Sequence, residues 1–411
     1  MPGPGSADTL AASQPLPVHL VSSLQEICVG AFATRFQQQP SLAEVPTLHL
    51  SDLVVEQLST DLPLELAGSV LSHEGYWKRR SHARWPHLQA TNICSSWKQL
   101  YFEQNLQEAL ERFDPELDDQ ESLRRLLAFS RRFVHRLELL QLPSHLDPQL
   151  ILESLYSGLT LLRLTYGMRS VGMNYDKSLF GIRLSDCRAL AHSLQQVDLL
   201  AHLDLTGNLI DDNRARLLSS GLANNHTITH LCLAHNKIED KGIKAVAKAL
   251  DAVGIIAILN LQHNLIGPPG GRDLARLLAR SKSLTHLNMR LNGIGDEGAK
   301  TLLEAAGVSK TVQSLNLSTT DMREQGTETL IGLVRAGHPT LSKLDVTCNL
   351  IGLDAGLLLR EAVESNPDII MDLDVRACEV SQDDEAAIQE ILRNRSLRGT
   401  RPFAWLMPTA T

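Results

Sequence analysis

From Leu200 to about Arg395 the sequence repeats itself every 28 or 29 residues. The repeated unit reads L-x-x-L-x-L-x-x-N-x-I, and its Asn position is occupied in turn by Asn208, Asn236, Asn264, Asn292, Thr320, Asn349 and Cys378. Each unit predicts one strand and one helix, and neither element can bury its apolar side alone, so neighbouring units must stack. The period therefore predicts a solenoid, an architecture that mainly provides surfaces for binding other proteins.

The length, charge and hydropathy of the chain exclude several classes of protein. Its 411 residues allow two or three domains, and its formal charge of −8 argues against nucleic acid as the main ligand. No stretch reaches the roughly 18 consecutive apolar residues of a membrane-spanning helix. The amino end lacks the early basic residues and the apolar core of a secretion signal, so we expect a cytoplasmic protein.

The cysteines are spaced too widely for a disulfide framework or a zinc ribbon. No C-x-x-C pair occurs, which favours reduced, buried thiols in a cytosolic compartment. The six residues concerned are Cys28, Cys94, Cys187, Cys232, Cys348 and Cys378.

Four regions follow from composition and periodicity. We expect a disordered tail at 1–16, a helical domain at 17–154, one degenerate and seven regular repeats at 155–396, and a carboxyl-terminal tail at 397–411. Within the helical domain, the apolar spacing predicts amphipathic helices at Leu100–Phe113 and at Leu123–Leu140, the latter preceded by an acidic loop. We expect this domain to cap the open end of the solenoid.

The degenerate first unit lies at Leu159-Leu162-Leu164, with Gly167 at the Asn position. An insertion at 166–181 separates its strand from a helix predicted at Ser185–Leu194. Such a loop on the rim is a candidate contact site, although insertions of this length are also often simply tolerated.

The internal pattern of the unit predicts a strand whose leucines point inward, followed by a full helix. The Asn amide can bond turn groups that lack a partner in the sheet, so Thr320 and Cys378 predict looser turns. A helix in a unit of this length favours a horseshoe of the ribonuclease-inhibitor type. We therefore predict an α/β leucine-rich-repeat solenoid with a parallel concave sheet, convex helices and an amino-terminal all-helical block.

The concave face is one candidate binding surface, because polar side chains alternate with the buried leucines there. It could equally be an open sheet that is simply solvated. The candidate residues are Asp204, His230, Asn260, Asn288, Arg290, Asn316, Asp345, Asp374 and Arg376.

The sequence predicts no metal site, phosphate-binding loop or catalytic site. His202 and His230 lie on neighbouring strands, but Ile258 interrupts their column, and zinc needs three or four ligands. The GPPGG sequence at 267–271 lacks the ending of a phosphate loop, so it predicts a helix-entry turn. No catalytic motif occurs, so we predict no catalytic, cofactor-binding or metal residues.

Outside the repeats, the most distinctive segment is YWKRRSHARW at 76–85, followed by WKQLYFEQNLQEAL at 97–110. The tryptophans could build a small core with solvated basic side chains around it. Alternatively, the segment forms a basic aromatic patch that binds an acidic surface. The residues of this candidate patch are Trp77, Lys78, Arg79, Arg80, Arg84 and Trp85.

This block, joined to seven such repeats, resembles the T-complex-associated testis-expressed family, the subunit 5 family of the axonemal dynein regulatory complex. The resemblance implies a non-enzymatic structural subunit of the nexin link between doublet microtubules, located in the cytoplasm and cytoskeleton of motile cilia and flagella. It implies other subunits of that complex as partners, with doublet microtubules or inner-arm dynein as further candidates. It implies no cofactor, no membrane and no nucleic acid.

Two other functions remain open at this point. The repeats alone also resemble the activator of the Ran GTPase, which would make the chain a small-GTPase regulator or another cytosolic scaffold. That activator usually has an acidic tail, which this sequence lacks. Actin capping is disfavoured, because the amino-terminal block lacks long disordered amphipathic segments.

Overall fold

The computed structural model of the chain describes residues 23–42, 45, 47–89, 96–115, 117–142, 146–167, 180–365 and 372–398. The tail predicted at 1–16, most of the insertion at 166–181, and residues 399–411 lie outside the described residues. The chain forms two compact units, Met1–Tyr101 and Phe102–Thr411.

The described part of the first unit contains helices and no strand. Their bounds are α1 Leu24–Arg35, α2 Leu48–Gln57, α3 Leu64–Val70, α4 Glu74–Arg84 and the start of α5 Trp97–Arg112. The predicted helix at Leu100–Phe113 is therefore present and begins three residues earlier.

The second unit contains one parallel sheet whose nine strands follow one another in chain order. The strands are β1 Arg136–Leu142, β2 Leu161–Tyr166, β3 His202–Asp204, β4 His230–Cys232, β5 Ile258–Asn260, β6 His286–Asn288, β7 Ser314–Asn316, β8 Lys343–Asp345 and β9 Asp372–Asp374. The helices that follow α5 are α6 Gln120–Ser130, α7 Pro148–Leu155, α8 Leu184–Leu194, α9 Asp212–Leu222, α10 Asp240–Val253, α11 Pro268–Arg280, α12 Gly295–Val308, α13 Glu324–Ala336, α14 Leu353–Ser365 and α15 Gln382–Arg398. This alternation confirms the predicted α/β leucine-rich-repeat solenoid, including the helix predicted at Ser185–Leu194.

The Asn of the repeat joins each unit to the one before it. The amide nitrogen of Asn292 donates to the carbonyl of Met289 in its own unit and to that of Leu261 in the preceding unit, both at 2.9 Å. Its amide oxygen accepts the N–H of Ile266 at 3.3 Å. Because these backbone groups are buried, the side chain supplies partners that the short strands cannot. The same two carbonyl bonds are made by Asn236, Asn264 and Asn349.

The two units that lack this Asn have a different turn, which is not looser. Thr320 and Cys378 are 0% and 1% exposed. The Thr320 hydroxyl donates to a carbonyl of its own unit at 2.7 Å. Asp321 and Glu379, the next residues, are left-handed, with φ of 60° and 57°. Thr or Cys in place of Asn therefore changes the backbone conformation of the turn, but the residue at this position remains buried.

The segment predicted as one helix at Leu123–Leu140 is a helix only as far as Ser130. The chain then turns and forms β1. In this strand Leu137 and Leu139 point inward, in register with Leu162 and Leu164 of β2. The leucines fit helical spacing, but the alternation from Arg136 onward fits a strand as well. The prediction that residues 17–154 are all helical is therefore wrong, and the sheet begins before residue 155.

Helix α5 protects the outer edge of β1, which would otherwise expose unpaired backbone donors. Glu103 accepts the N–H groups of His135 and Arg136 at 3.1 and 2.8 Å. Eight residues later on the same side of the helix, Glu111 accepts the N–H of Leu140 at 2.8 Å. The first strand of the sheet is thus capped by carboxylates instead of by another strand.

Helix starts in several repeats are capped by an aspartate of the preceding repeat. Asp240 accepts the N–H groups of Gly267 and Gly270, both at 2.9 Å. Asp296 likewise accepts three N–H groups at the start of α13, and Asp212 accepts one at the start of α10. A carboxylate at a helix start is favoured by the exposed N–H groups there. The GPPGG segment is therefore a helix entry, as predicted.

Candidate functional site

The open face of the sheet, the side that the helices do not cover, carries the polar columns predicted from the sequence. Strand pairing aligns His202 with His230, Ile258 and His286 in one column of side chains. The last residues of β3 to β9, from Asp204 to Asp374, form a second column in register, which we call the middle column. Nine strands at about 4.8 Å make a floor about 38 Å across. The sheet thus brings the predicted open-face residues together.

The middle column also has a structural role that the sequence analysis missed. In Asn260, for example, the side-chain oxygen accepts the N–H of Gln262, two residues later, at 3.1 Å. This Asx bond occupies a donor at the point where the strand ends. Its recurrence in the sequence, an Asp or Asn in six of seven units, could have indicated the role. The same bond is made by Asp204, Asn288, Asn316, Asp345 and Asp374.

Charged side chains lie at the two ends of the open face and are paired there. At the first end, Arg163 lies 3.3 Å from Asp204 and 3.9 Å from Glu138. At the other end, the Arg376 side chain donates to Asp374 from Nε, at 2.9 and 3.1 Å to the two carboxylate oxygens, and from Nη2 at 2.5 Å. Burial acts to raise the pKa of Asp374, but the bonds from Arg376 hold that pKa below its ordinary value.

Lys343 also lies 3.2 Å from Asp372 at this end. The middle of the floor, from β4 to β7, carries amides, hydroxyls and histidines, with Arg290 exposed at its edge. The open face can therefore accept a polar partner surface without requiring one of a particular charge.

Two histidines of the open face, His202 and His230, stack on one another. The rings of His202 and His230 are 5.5 Å apart and nearly parallel, and Thr229 lies 2.8 Å from the His230 ring nitrogen. Burial lowers the pKa of His202, and the neighbouring His230 lowers it further, against the opposing effect of Asp204 and Glu138. Burial likewise lowers the pKa values of His230 and His286. Neutral imidazoles are the favoured form here.

The tryptophan-rich segment folds around a buried cation. Trp77 is 0% exposed and Arg80 is 7% exposed. The guanidinium of Arg80 lies 5.0 Å from the Tyr101 ring and 5.7 Å from the Trp77 ring, and it donates to the Leu62 carbonyl at 2.7 Å and to the Tyr76 hydroxyl at 3.1 Å. Trp77 and Arg80 are therefore core residues of the first unit, which corrects their selection as binding residues.

The other residues of the candidate patch reach the surface. Arg79 donates to the carbonyls of Val55 and Leu58 at the end of α2, at 2.7 and 3.3 Å. Arg84 lies 4.8 Å from the Trp85 ring, and Lys78 lies 5.8 Å from another tryptophan ring. The candidate patch is thus reduced to Lys78, Arg79, Arg84 and the half-buried Trp85.

The described residues offer little reactive chemistry. Burial raises the pKa of Cys187 to about 12 and the pKa values of Cys232 and Cys378 to about 11, so these thiols stay protonated. Cys28 and Cys348 are exposed, against the prediction of buried thiols, and Cys94 lies outside the described residues. No group of three or more His, Cys, Asp or Glu side chains among the described residues could hold a metal ion.

A second surface that the sequence analysis missed lies on the helical side of the sixth repeat. We call it the leucine strip: Leu350, Leu353, Leu357 and Leu358, which are 43%, 65%, 48% and 44% exposed. The sequence signal was present in LDAGLLL, but leucines at helical spacing normally indicate a buried face. Within the described residues, the fold leaves this apolar surface exposed.

One family model matches the chain and supports the repeat fold. The family model of the leucine-rich repeat matches residues 224–247 and 280–303. Among solved structures, an internalin from Listeria monocytogenes matches with a TM-score of 0.29 and 15% identity, over 71% of this chain and 93% of that one. Within the described residues, no helix combines the length and apolar character that crossing a membrane requires.

Two sequence relatives carry the same name. Dynein regulatory complex subunit 5 of Chlamydomonas reinhardtii is 46% identical over 199 residues, which are 48% of this chain and 51% of that protein. Dynein regulatory complex subunit 5 of Homo sapiens is 32% identical over 230 residues, which are 49% of this chain and 46% of that protein. The matches therefore span about half the length of each relative.

Proposed function

We propose that this chain, a leucine-rich-repeat relative of dynein regulatory complex subunit 5, is a non-enzymatic scaffold of the axonemal nexin–dynein regulatory complex. In this role it would link doublet microtubules and contribute to the regulation of ciliary and flagellar motility. The relationship itself, predicted from the tryptophan-rich block and the repeats, is confirmed by the shared name of the algal and human relatives.

The observation that carries the proposal is the 46% identity to the algal subunit over 199 residues. Two features of the structure support it. The open face offers a broad polar surface. In addition, the raised pKa values of Cys187, Cys232 and Cys378 keep these thiols protonated. Both fit a protein that binds others better than one that carries out a reaction. The proposed partners are other subunits of the complex, with doublet microtubules or inner-arm dynein as further candidates.

Extraction of axonemes tests the proposed location. A tagged full chain is expressed in ciliated cells, and the cilia are treated first with detergent and then with high salt. We expect the chain to stay with the axoneme in detergent and to leave it with the other subunits in salt, because salt weakens contacts between charged surfaces. A soluble protein of the ciliary matrix serves as the control. Recovery of the chain only in the detergent fraction would contradict the proposal.

The alternative of a small-GTPase regulator has no support among the relatives reported above. A GTP hydrolysis assay with candidate GTPases separates the two functions, since a scaffold leaves the hydrolysis rate unchanged. A clear stimulation by the full chain would favour the alternative.

A further inference from the structure

Two residues of the leucine strip, Leu353 and Leu357, stand at positions where most other repeats carry charged side chains. Four residues after the Asn position, the seven repeats carry Asp212, Asp240, Pro268, Asp296, Glu324, Leu353 and Gln382. Eight residues after it, they carry Arg216, Lys244, Arg272, Lys300, Glu328, Leu357 and Ala386. The sixth repeat is the one that places leucine at both positions, on adjacent turns of one face of α14.

The leucine at the first of these positions has no role in the fold that would account for it. In other repeats the aspartate there caps the next helix, as Asp240 and Asp296 do. Leu353 cannot accept a hydrogen bond, and the next helix is capped from within its own repeat, where the Ser381 hydroxyl accepts the N–H of Asp384 at 3.1 Å. Leu353 is instead 65% exposed, so it contributes little to the core. A clustered set of exposed leucines is typical of a binding site.

Carboxylates surround the strip. On α14, Asp354 and Glu361 lie four residues before and three residues after Leu358, which places them beside it on the helix surface. On α13, Glu324 and Glu328 occupy the positions equivalent to Leu353 and Leu357. All four are exposed, and none takes part in an ion pair within the part of the chain that the structure describes.

The one cation of α14 is neutralised. Arg360 of α14 lies 2.9 Å from Glu364 and 3.2 Å from Asp384, so two carboxylates share its charge. The helices of the first four repeats carry Arg or Lys at the position equivalent to Leu357, and one of these, Arg272, is paired with Glu297 at 2.6 Å. Charge therefore favours a basic partner at the strip.

We propose that the leucine strip is the docking site for a basic amphipathic helix of another protein. Leucines spaced four apart on α14 match the apolar stripe of such a helix, and its Lys or Arg residues would face Glu324, Glu328, Asp354 and Glu361. The inference rests on the proposed scaffold function in giving the strip a protein partner. Its test needs no axoneme, so either proposal can fail while the other stands.

The test uses the full chain and a fluorescein-labelled helical peptide of leucine and lysine, about 18 residues long so that it forms a helix. Fluorescence anisotropy measures its affinity for the wild type and three variants. Leu353→Glu/Leu357→Glu removes the apolar surface, and Glu324→Lys/Glu328→Lys reverses the charge of α13 beside the strip. Leu265→Glu is the matched control, because Leu265 is an exposed leucine, 59% accessible, in another repeat. Circular dichroism checks that each variant is folded.

We expect the leucine double variant to bind at least about tenfold more weakly, because central apolar contacts dominate such interfaces. The charge-reversal variant should also bind more weakly and depend less on salt, whereas Leu265→Glu should match the wild type. Equal binding by all four proteins, or equal binding of a peptide with glutamate in place of lysine, would overturn the proposal. So would a dimer of the wild type that Leu353→Glu/Leu357→Glu dissociates, or peptide binding that appears only after residues 399–411 are removed.

Discussion

Asn292 shows how one buried amide joins two repeats. It is 2% exposed, and its side chain serves the carbonyls of Leu261 and Met289 and the N–H of Ile266. We expect Asn292→Ala to lower the free energy of unfolding by roughly 2–3 kcal/mol, because several buried backbone groups lose their partner at once. Urea denaturation of the full chain measures the change.

The control for this prediction is Asn288→Ala on the open face. Asn288 accepts one N–H, from Arg290, at a partly exposed position, so we expect a loss of less than about 1 kcal/mol. Equal losses for the two variants would mean that the amide contacts between repeats do not determine stability.

Arg80 tests whether the tryptophan-rich segment is a core. We expect Arg80→Ala to destabilise the first unit by roughly 3 kcal/mol, because it removes the partner of the buried Leu62 carbonyl and leaves a cavity between Trp77 and Tyr101. Tryptophan fluorescence during denaturation reports on this unit, since Trp77, Trp85 and Trp97 lie in it. Arg84→Ala, at an exposed position, should change stability by less than about 0.5 kcal/mol. The core assignment fails if Arg84→Ala has the larger effect.

At the scale of single elements, the edge of β1 depends on α5. Removing both carboxylates in Glu103→Ala/Glu111→Ala leaves the N–H groups of His135, Arg136 and Leu140 without these acceptors. We expect a loss of roughly 2–4 kcal/mol and a greater tendency to self-associate, because an uncapped edge strand can pair with another chain. Denaturation and light scattering measure the two effects.

The control for the edge is Glu121→Ala. Glu121 is exposed on α6, and its carboxylate lies 3.9 Å from Arg125 in a surface ion pair. This variant should leave stability and association nearly unchanged. A double variant at the edge that behaves like Glu121→Ala would show that α5 does not protect β1.

The histidine column of β3, β4 and β6 makes stability depend on pH. The folded-state pKa values of His202, His230 and His286 lie below the ordinary value, so the unfolded chain binds more protons as the pH falls through that value. Stability should therefore be present at neutral pH and decrease on acidification towards the lowered folded pKa values. Urea midpoints at neutral and mildly acidic pH test this.

His202→Gln/His230→Gln should reduce the acid-induced loss, while the exposed His226→Gln should leave it as in the wild type. Groups other than the substituted histidines are common to all three proteins. An unchanged pH dependence in the double variant would contradict the role of the column.

The elements that periodicity specifies were predictable, and those that depend on neighbours were not. Seven strands and their register follow from the leucines of the repeat, since one face of each strand must be buried. In β1 the leucines fit both a helix and a strand, and only pairing with β2 decides between them. In α14 the spacing indicates a helix but cannot tell which leucines the next repeat covers, so Leu353 and Leu357 were missed.

At the scale of the whole molecule, one part of the candidate site was predictable from the sequence and another part was not. The positions of the open-face columns were predictable from the sequence. Six of the candidate residues also accept a hydrogen bond from the backbone two residues later, as Asn316 does from the N–H of Ser318. Trp77 and Arg80 were selected for their aromatic and basic character, and it is this combination that lets them form a core. Composition alone could not separate a buried cation between rings from an exposed one.

Cross-linking mass spectrometry on isolated axonemes tests the scaffold assignment most directly. Exposed lysines such as Lys78, Lys244 and Lys282 report on both units of the chain. If the chain is a scaffold of the nexin–dynein regulatory complex, its lysines should cross-link reproducibly to other subunits of that complex. Cross-links found only within the chain itself, or only to proteins outside the complex, would contradict the assignment.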